Sequence, residues 1–234
     1  TPVVALFSMR QVLALATSYS LSIISLMGLL LTLFMTMGLL ARDLEQRNVY
    51  TVCSLPISRS TYLLGKFLGF AFLMLLAVVI LGCFSAVALF VLERIYPTAR
   101  AFAWVGFVVG LWYQYWVFLI VGAIVVLFST VATSHFLPLA LSVGLYFGGY
   151  SAEAVRYFIR SSAGQKELGP AVKFFGNVVY WILPNFSLFD LKSQIIYGVA
   201  LNARELLLTQ TYALSYLAVL LILSTLSFSR REFL

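Results

Sequence analysis

Four long stretches of this sequence carry no charged side chain. They contain 31, 26, 52 and 24 residues and cover residues 11–41, 67–92, 101–152 and 206–229. A helix needs about 20 apolar residues to cross the hydrocarbon core of a bilayer, which is about 30 Å thick. Each stretch is therefore long enough for one membrane span, and the longest is long enough for two.

The 52-residue stretch divides at a polar cluster, residues 129–135, which is followed by Pro138. Pro is favourable in the first turn of a helix. We therefore predict an all-α polytopic membrane protein with a bundle of five visible transmembrane helices. The spans are predicted near residues 20–41, 67–92, 103–128, 135–156 and 207–229. They must be helices, because hydrocarbon offers no hydrogen-bond partner to an open strand edge.

The composition agrees with a membrane protein and excludes a soluble domain. Hydrophobic residues make up 62% of the chain and charged residues only 10%, whereas soluble domains carry about 25% charged residues. The 15 basic residues, which give a net charge of +7, are scattered over loops and ends. Contact with anionic lipid headgroups explains this charge better than a nucleic-acid partner, which we do not expect.

Two segments outside the predicted spans differ from them in composition. Residues 1–19 mix Arg10 and hydroxyl side chains with apolar ones and are predicted to form an interfacial helix; alternatively, they end an upstream span that continues into this one. Residues 157–206 are predicted to form an external connection. Its uncharged run from Phe174 to Phe189 contains Asn177 and Pro184, which favours a re-entrant or interfacial helix over a sixth span.

Few polar side chains fall inside the predicted spans. Gln114 is the most interior one, and either an interhelical hydrogen bond or a contact with substrate accounts for it. Glu153 and Arg156 are spaced for a local ion pair near the end of their span. The sequence contains no HExxH, GxSxG or phosphate-binding loop, so we predict neither catalytic residues nor a metal site nor an ATPase centre in this chain.

Small residues in the 135–156 span indicate a close helix contact. Gly144 and Gly148 are one turn apart, with Ser142 nearby, and small residues at this spacing let two helix backbones approach. We predict that Ser142, Gly144 and Gly148 lie at the interface of a homodimer, since symmetric pairing is the commonest oligomeric arrangement. The alternative is packing against a neighbouring span of the same chain.

The most distinctive polar stretch is residues 42–66, hereafter the elbow, which joins the first two predicted spans. Its sequence, with the flanking residues, is ARDLEQRNVYTVCSLPISRSTYLLGKFLG. A short charged helix is followed by an apolar segment that Pro56 interrupts. Ser58 is then placed to cap the next helix, because its side-chain oxygen can accept a backbone N–H of the first turn.

The elbow resembles the cytoplasmic loop between the second and third spans of ABC-2 type transporter permeases. The matching residues are Glu45, Arg47, Leu55, Pro56, Ser58, Arg59, Gly65 and Lys66. Asn48 departs from the family pattern, in which Thr is frequent. Residues 183–186 (LPNF) and the ending at residues 228–233 (FSRREF) resemble the family's motifs before and after its last span. The family has six spans, so the resemblance implies a further span upstream of Thr1.

The resemblance implies a permease subunit of an ATP-driven transporter, an exporter, in a bacterial cytoplasmic membrane. A separate cytoplasmic ATP-binding cassette ATPase would hold ATP and Mg²⁺, and two permease copies would assemble with it. The ATPase-coupling residues would be Glu45, Arg47, Leu55, Pro56, Ser58, Arg59 and Lys66. The elbow and Leu234 would then face the cytoplasm, although the basic residues alone do not decide the orientation.

Two other functions compete with transport. An ABC-linked membrane subunit that assembles or remodels a partner would carry the same elbow without moving a substrate. A membrane enzyme that acts on lipids would need a catalytic constellation, which the sequence does not contain. The sequence does not identify the substrate.

Overall fold

The protein is built from helices in every described part. The structure, a computed structural model, describes residues 2–38, 58–96, 102–132, 136–161 and 169–230. In chain order the described helices are α1 (Pro2–Thr36), α2 (Arg59–Ile95), α3 (Trp104–Val131), α4 (Phe136–Arg160), α5 (Pro170–Ile182), α6 (Lys192–Tyr197) and α7 (Ala203–Arg230), with a 3-10 turn at Phe186–Phe189 between α5 and α6. These ranges contain no strand. The predicted all-α fold class is confirmed.

Four of these helices are long and apolar enough to cross a membrane. Within the described residues they are Val12–Thr36, Ser60–Ile95, Trp104–Val131 and Ala203–Ser229. The predicted span at 135–156 does form a helix, α4, but α4 is not among the four. Its glycines, its tyrosines and Glu153 lower its hydropathy. Its buried residues include Ser142, Tyr146 and Gly149, and they share one face, so α4 is amphipathic.

The boundary predicted at residue 19 is absent. The structure has one uninterrupted helix from Pro2 to Thr36, which fits the alternative that residues 1–19 continue into the first span; where they lie relative to the membrane stays a prediction. At least one of the hydroxyl side chains that suggested an interface is satisfied locally. The hydroxyl of Thr17, for example, donates to the Leu13 carbonyl of its own helix at 2.8 Å. A helix in which hydroxyls bond back to its own backbone needs no break at those positions.

Helix α3 is the centre of the bundle. Most of its side chains are buried, and it packs against α1, α2, α4 and α7. Aromatic rings fill the spaces opposite glycines: Phe118 of α3 lies against Gly28 of α1, and Phe70 of α2 lies against Gly122 of α3. In the absence of a hydrophobic force between helices in lipid, such close van der Waals packing holds them together.

The helices define two ends of the bundle. The elbow end holds the start of α2 and the end of α7, where the rings of Tyr62 and Phe228 stack with centroids 6.4 Å apart. The opposite end, hereafter the turn end, holds the start of α3 and of α7, where the Tyr113 hydroxyl donates to the Leu206 carbonyl at 2.6 Å. Helices α4 and α5, with the segment that follows them, extend to the turn end.

The orientation in the membrane can be tested with single cysteines at Ser60 and Ser161, in a background without Cys53 and Cys83. We expect an impermeant maleimide added to intact cells to label position 161 and not position 60. The elbow end faces the cytoplasm in this topology. Labelling at 60 but not at 161 would invert the topology, and permeabilised cells, in which both sites should react, provide the control.

Candidate functional site

The structure describes part of the predicted coupling region. Ser58 caps α2: its Oγ accepts the backbone N–H of Thr61 at 3.2 Å and lies 2.6 Å from the Thr61 hydroxyl. The capping role predicted for Ser58 is confirmed. Apart from Lys66, the other predicted coupling residues lie outside the described part of the chain; they are Glu45, Arg47, Leu55, Pro56 and the side chain of Arg59.

Lys66 lies on the first turns of α2, next to the packed end of α7. Its Nζ is 5.8 Å from the ring of Tyr62, the distance range of a cation–π interaction. Tyr62 in turn stacks on Phe228, which is buried, as is the neighbouring Leu63. The structure therefore brings together the end of the elbow motif and the start of the C-terminal motif, which the sequence separates by more than half its length.

The third motif, Leu183 to Phe186, forms a turn at the other end of α7. Helix α5 ends at Ile182, and the Asn185 side chain then accepts the backbone N–H of Ser187 at 3.2 Å. The Phe186 ring is fully buried, 5.7 Å from the rings of both Tyr146 and Tyr150 on α4. We call residues 183–191 the inner turn.

The inner turn approaches the backbone of α4 at Gly149. A Cβ atom at this position would overlap the Pro184 carbonyl oxygen and the Phe186 ring. Any side chain larger than hydrogen would therefore displace the turn. On α4, Gly149 is therefore the glycine that the close approach of the inner turn requires. The sequence had pointed to Gly144 and Gly148 instead.

Tyrosine hydroxyls complete the hydrogen bonds of the inner turn. The Asn185 backbone N–H donates to the Tyr212 hydroxyl at 2.9 Å, and the Tyr216 hydroxyl donates to the Ile182 carbonyl at 3.0 Å. The Ser187 hydroxyl donates to the Tyr150 carbonyl at 3.0 Å. Irregular backbone at membrane depth is tolerated only where protein groups or enclosed water satisfy it. These bonds make a broken segment possible inside the bundle.

Helix α5 lies along the outer part of α4. Ile159 packs against Gly176, and the Arg156 guanidinium lies 4.1 Å from the centroid of the Tyr180 ring. The ion pair predicted between Glu153 and Arg156 is therefore wrong: Arg156 stacks on α5 instead. Spacing along α4 could not show that α5 would supply an aromatic ring at this point.

The burial of these segments helps to choose between a re-entrant and an interfacial helix, the two alternatives predicted within the 157–206 connection. Helix α5 buries no residue, whereas Asn185, Phe186, Phe189 and Leu191 of the inner turn are all buried. The chain thus leaves the bundle along α4, returns along α5 and enters the bundle at the turn. This geometry favours the re-entrant alternative, and its depth in a bilayer stays a prediction.

A polar cluster lies between α1, α3 and α4. The Gln114 amide donates to the Ser25 Oγ at 3.2 Å, and Ser25 Oγ lies 3.3 Å from the Tyr146 hydroxyl. The interhelical hydrogen bond expected of Gln114 is confirmed. Sequence reasoning missed Ser25 and Tyr146. The amphipathic pattern of α4 could have marked Tyr146 as buried, but nothing in α1 distinguishes Ser25 from its other hydroxyl residues.

The three residues predicted at a dimer interface have different surroundings in the single chain. Ser142 is fully buried, and its hydroxyl donates to the Pro138 carbonyl at 2.7 Å. Gly148 faces Leu183 of the same chain, where an added Cβ would lie 3.5 Å away. Only Gly144 faces open space, so it alone of the three is available to a second copy.

These features define a class: a polytopic, all-helical membrane protein with a broken segment docked at one end. The chain belongs to the ABC-2 transporter family, because the family model described as ABC-2 family transporter protein matches residues 2–233. It is therefore an ABC transporter permease, and family membership implies a partnership with an ATP-binding cassette ATPase. A comparison with curated proteins gives no match.

The close approach at Gly149 predicts an asymmetric response to added methyl groups on α4. Gly149→Ala should destabilise the folded protein by about 1–3 kcal/mol, since the overlapping atom of Pro184 is backbone and cannot rotate away. Gly144→Ala should leave stability unchanged or raise it by up to about 1 kcal/mol, because the new methyl enters open space and Ala favours a helix over Gly. Thermal unfolding of both variants in the same detergent measures the difference. Equal behaviour of the two variants would show that the inner turn does not dock at Gly149.

Proposed function

We propose that this protein is the permease of an ATP-driven exporter and that a separate cytoplasmic ATPase moves it through the elbow. The observation that carries the proposal is that residues 58–66, the described end of the elbow, form the cap and first turns of α2. The elbow runs directly into α2 at Ser58, and the first turns of α2 are packed into the protein through Leu63, Phe67 and Phe70. A displacement of the elbow therefore cannot stay local.

Two contacts would distribute the movement. At the elbow end, Tyr62 ties α2 to Phe228 of α7. Further into the bundle, Phe70 fits the space beside Gly122 of α3. Close-packed interfaces of this kind shift as units rather than deform continuously. An ATPase dimer that closes on ATP would push the elbow and tilt α2 and α7 together.

A transport pathway between two copies fits the distribution of polar groups. The described spans bury part of their polar side chains, among them Ser25, Thr32 and Gln114, and their exposed faces are mainly apolar, most extensively on α2 and α7. Lipids and a second permease copy are the partners for such surfaces. Because no described helix offers a continuous polar path through the chain itself, the pathway belongs between protomers.

The coupling role of the elbow predicts the effect of charge reversal. Glu45→Lys should uncouple ATP hydrolysis from transport while membrane insertion persists, because it inverts the charge presented to the ATPase. Glu153→Lys, a reversal on an exposed position of α4 towards the turn end, is the matched control and should keep coupling. ATPase activity and substrate flux are measured in liposomes that contain the complex.

A Glu45→Lys variant that binds its ATPase and transports normally would refute the coupling assignment. The unaltered complex also tests the alternative function. If its ATP hydrolysis depends on the permease but no substrate crosses the membrane, a role in assembly or remodelling of a partner is favoured.

The homodimer prediction can be narrowed to one face of α4. Single cysteines walked along residues 140–150 should give disulfides between copies at Ala140, Gly144 and Phe147, which lie on the exposed face. Positions 142, 146 and 149 lie on the face buried by the chain itself and should not react. The background lacks Cys53 and Cys83. A functional protein with no cross-link at any position would remove α4 from the interface.

A further inference from the structure

Ser25, Gln114 and Tyr146 come from three different helices, and each is more than nine-tenths buried. Their polar atoms form a continuous chain, with 3.2 Å between Gln114 Nε2 and Ser25 Oγ and 3.3 Å between Ser25 Oγ and the Tyr146 hydroxyl. Polar side chains within a membrane bundle are used to hold helices against one another. This cluster joins α1 to both α3 and α4.

The other buried hydroxyl side chains on α1 behave differently. Thr17 donates to the Leu13 carbonyl and Thr32 to the Gly28 carbonyl, both at 2.8 Å and both within α1; Thr32 has in addition only a weak contact with Met74 Sδ of α2 at 3.8 Å. A hydroxyl satisfied in its own helix places no demand on a neighbouring helix. Ser25 instead accepts its hydrogen bond from α3 and shares one with α4, so its position is set by all three helices.

Tyr146 extends the connection to the inner turn. Its ring lies 5.7 Å from the buried Phe186 ring and 5.0 Å from the ring of Tyr150. The Tyr150 carbonyl accepts the Ser187 hydroxyl of the turn at 3.0 Å. Contacts therefore run without a gap from α1 to the turn.

We propose that Ser25, Gln114 and Tyr146 are positioning residues that link movement of α1 to the position of the inner turn. This proposal rests on the proposed function, since the elbow follows α1 in the chain and supplies the movement. The ATPase then acts on both ends of the bundle: directly on α2 at the elbow end, and through this polar cluster on the turn at the opposite end. Residues that touch neither ATPase nor substrate thereby control the turn.

Hydrogen–deuterium exchange of the complete complex in lipid nanodiscs tests the link. Exchange is compared between the nucleotide-free state and the state trapped with ATP and vanadate. In the unaltered complex we expect the exchange rate of residues 183–191 to differ by at least about fivefold between the states, the lower end of typical coupling. Ser25→Ala and Tyr146→Phe, which each remove one hydroxyl, should reduce the difference to less than about twofold. Both variants should still bind the ATPase.

Thr17→Ala is the matched control, because it removes a buried hydroxyl from α1 whose hydrogen bond stays within the helix. This variant should keep the full difference in exchange rate at residues 183–191 between the two nucleotide states. If loose packing of α1 alone were the cause of the effect, Thr17→Ala would reduce that difference as well. A third variant, Gln114→Leu, should behave like Ser25→Ala. Persistence of the full difference in the Ser25 and Tyr146 variants overturns the proposal.

Exchange at residues 58–66 distinguishes a failure of the coupling between ATPase and elbow from a failure of the link between α1 and the inner turn. A nucleotide response at 58–66 without one at 183–191 in the unaltered complex overturns the link to the turn and leaves elbow coupling in place. Absence of a response at 58–66 contradicts elbow coupling itself, and the link to the turn with it. Responses at both segments, with loss only at 183–191 in the Ser25 and Tyr146 variants, support both.

Discussion

Every backbone N–H and C=O of a membrane-embedded segment needs a hydrogen-bond partner within the protein, because hydrocarbon supplies none. Continuous helices such as α2 and α3 meet this demand by themselves. The inner turn does not, since the chain leaves helical geometry after Ile182. The Asn185 N–H finds a partner in the Tyr212 hydroxyl, the Ser187 N–H in the Asn185 side chain, and the Ile182 carbonyl just before the turn in the Tyr216 hydroxyl. The placement of the other elements at the turn end depends on these bonds.

Residues that are far apart in the sequence pack together around the inner turn. Gly149 gives the Pro184 carbonyl the room to approach α4, and Phe186 fills the space between the tyrosines of α4. Burying a tyrosine in a membrane bundle is favourable when its ring packs and its hydroxyl finds a partner. The high aromatic content of the chain, 16%, thus has a structural use at the turn end beyond general hydrophobicity.

Helix α3 connects the two ends of the bundle. It is buried along most of its length and contacts both the helices that border the elbow and those that hold the inner turn. By contrast, α2 and α7 expose most of their apolar side chains. The bundle therefore combines a buried central helix with outer helices whose exposed apolar faces contact lipid or other protein.

Charge-free runs were enough to predict four apolar helices, because the cost of charge in hydrocarbon leaves a direct mark on sequence. The predicted span at 135–156 forms α4, whose hydropathy is lower because one of its faces packs on the inner turn, and its crossing of the membrane stays a prediction. The boundary expected at residue 19 coincides with no break in α1, where the Thr17 hydroxyl bonds to its own helix. Ser58 and Gln114 were predictable from local rules of capping and of buried polar side chains. Ser25, Tyr146, Gly149 and Tyr212 were not, since their roles arise from which helices become neighbours.

The proposed re-entrant arrangement requires the inner turn to lie within the bilayer, and spin labelling can measure its depth. A nitroxide at Leu188, on the turn, is compared with nitroxides at Ile80 on the exposed face of α2 and at Ser161 beyond the end of α4. The ratio of oxygen to nickel-chelate accessibility in lipid bilayers reports depth at each site. The account predicts that position 188 lies at a depth close to that of position 80, within the hydrocarbon. A depth at 188 equal to that of position 161, at the aqueous surface, would contradict it.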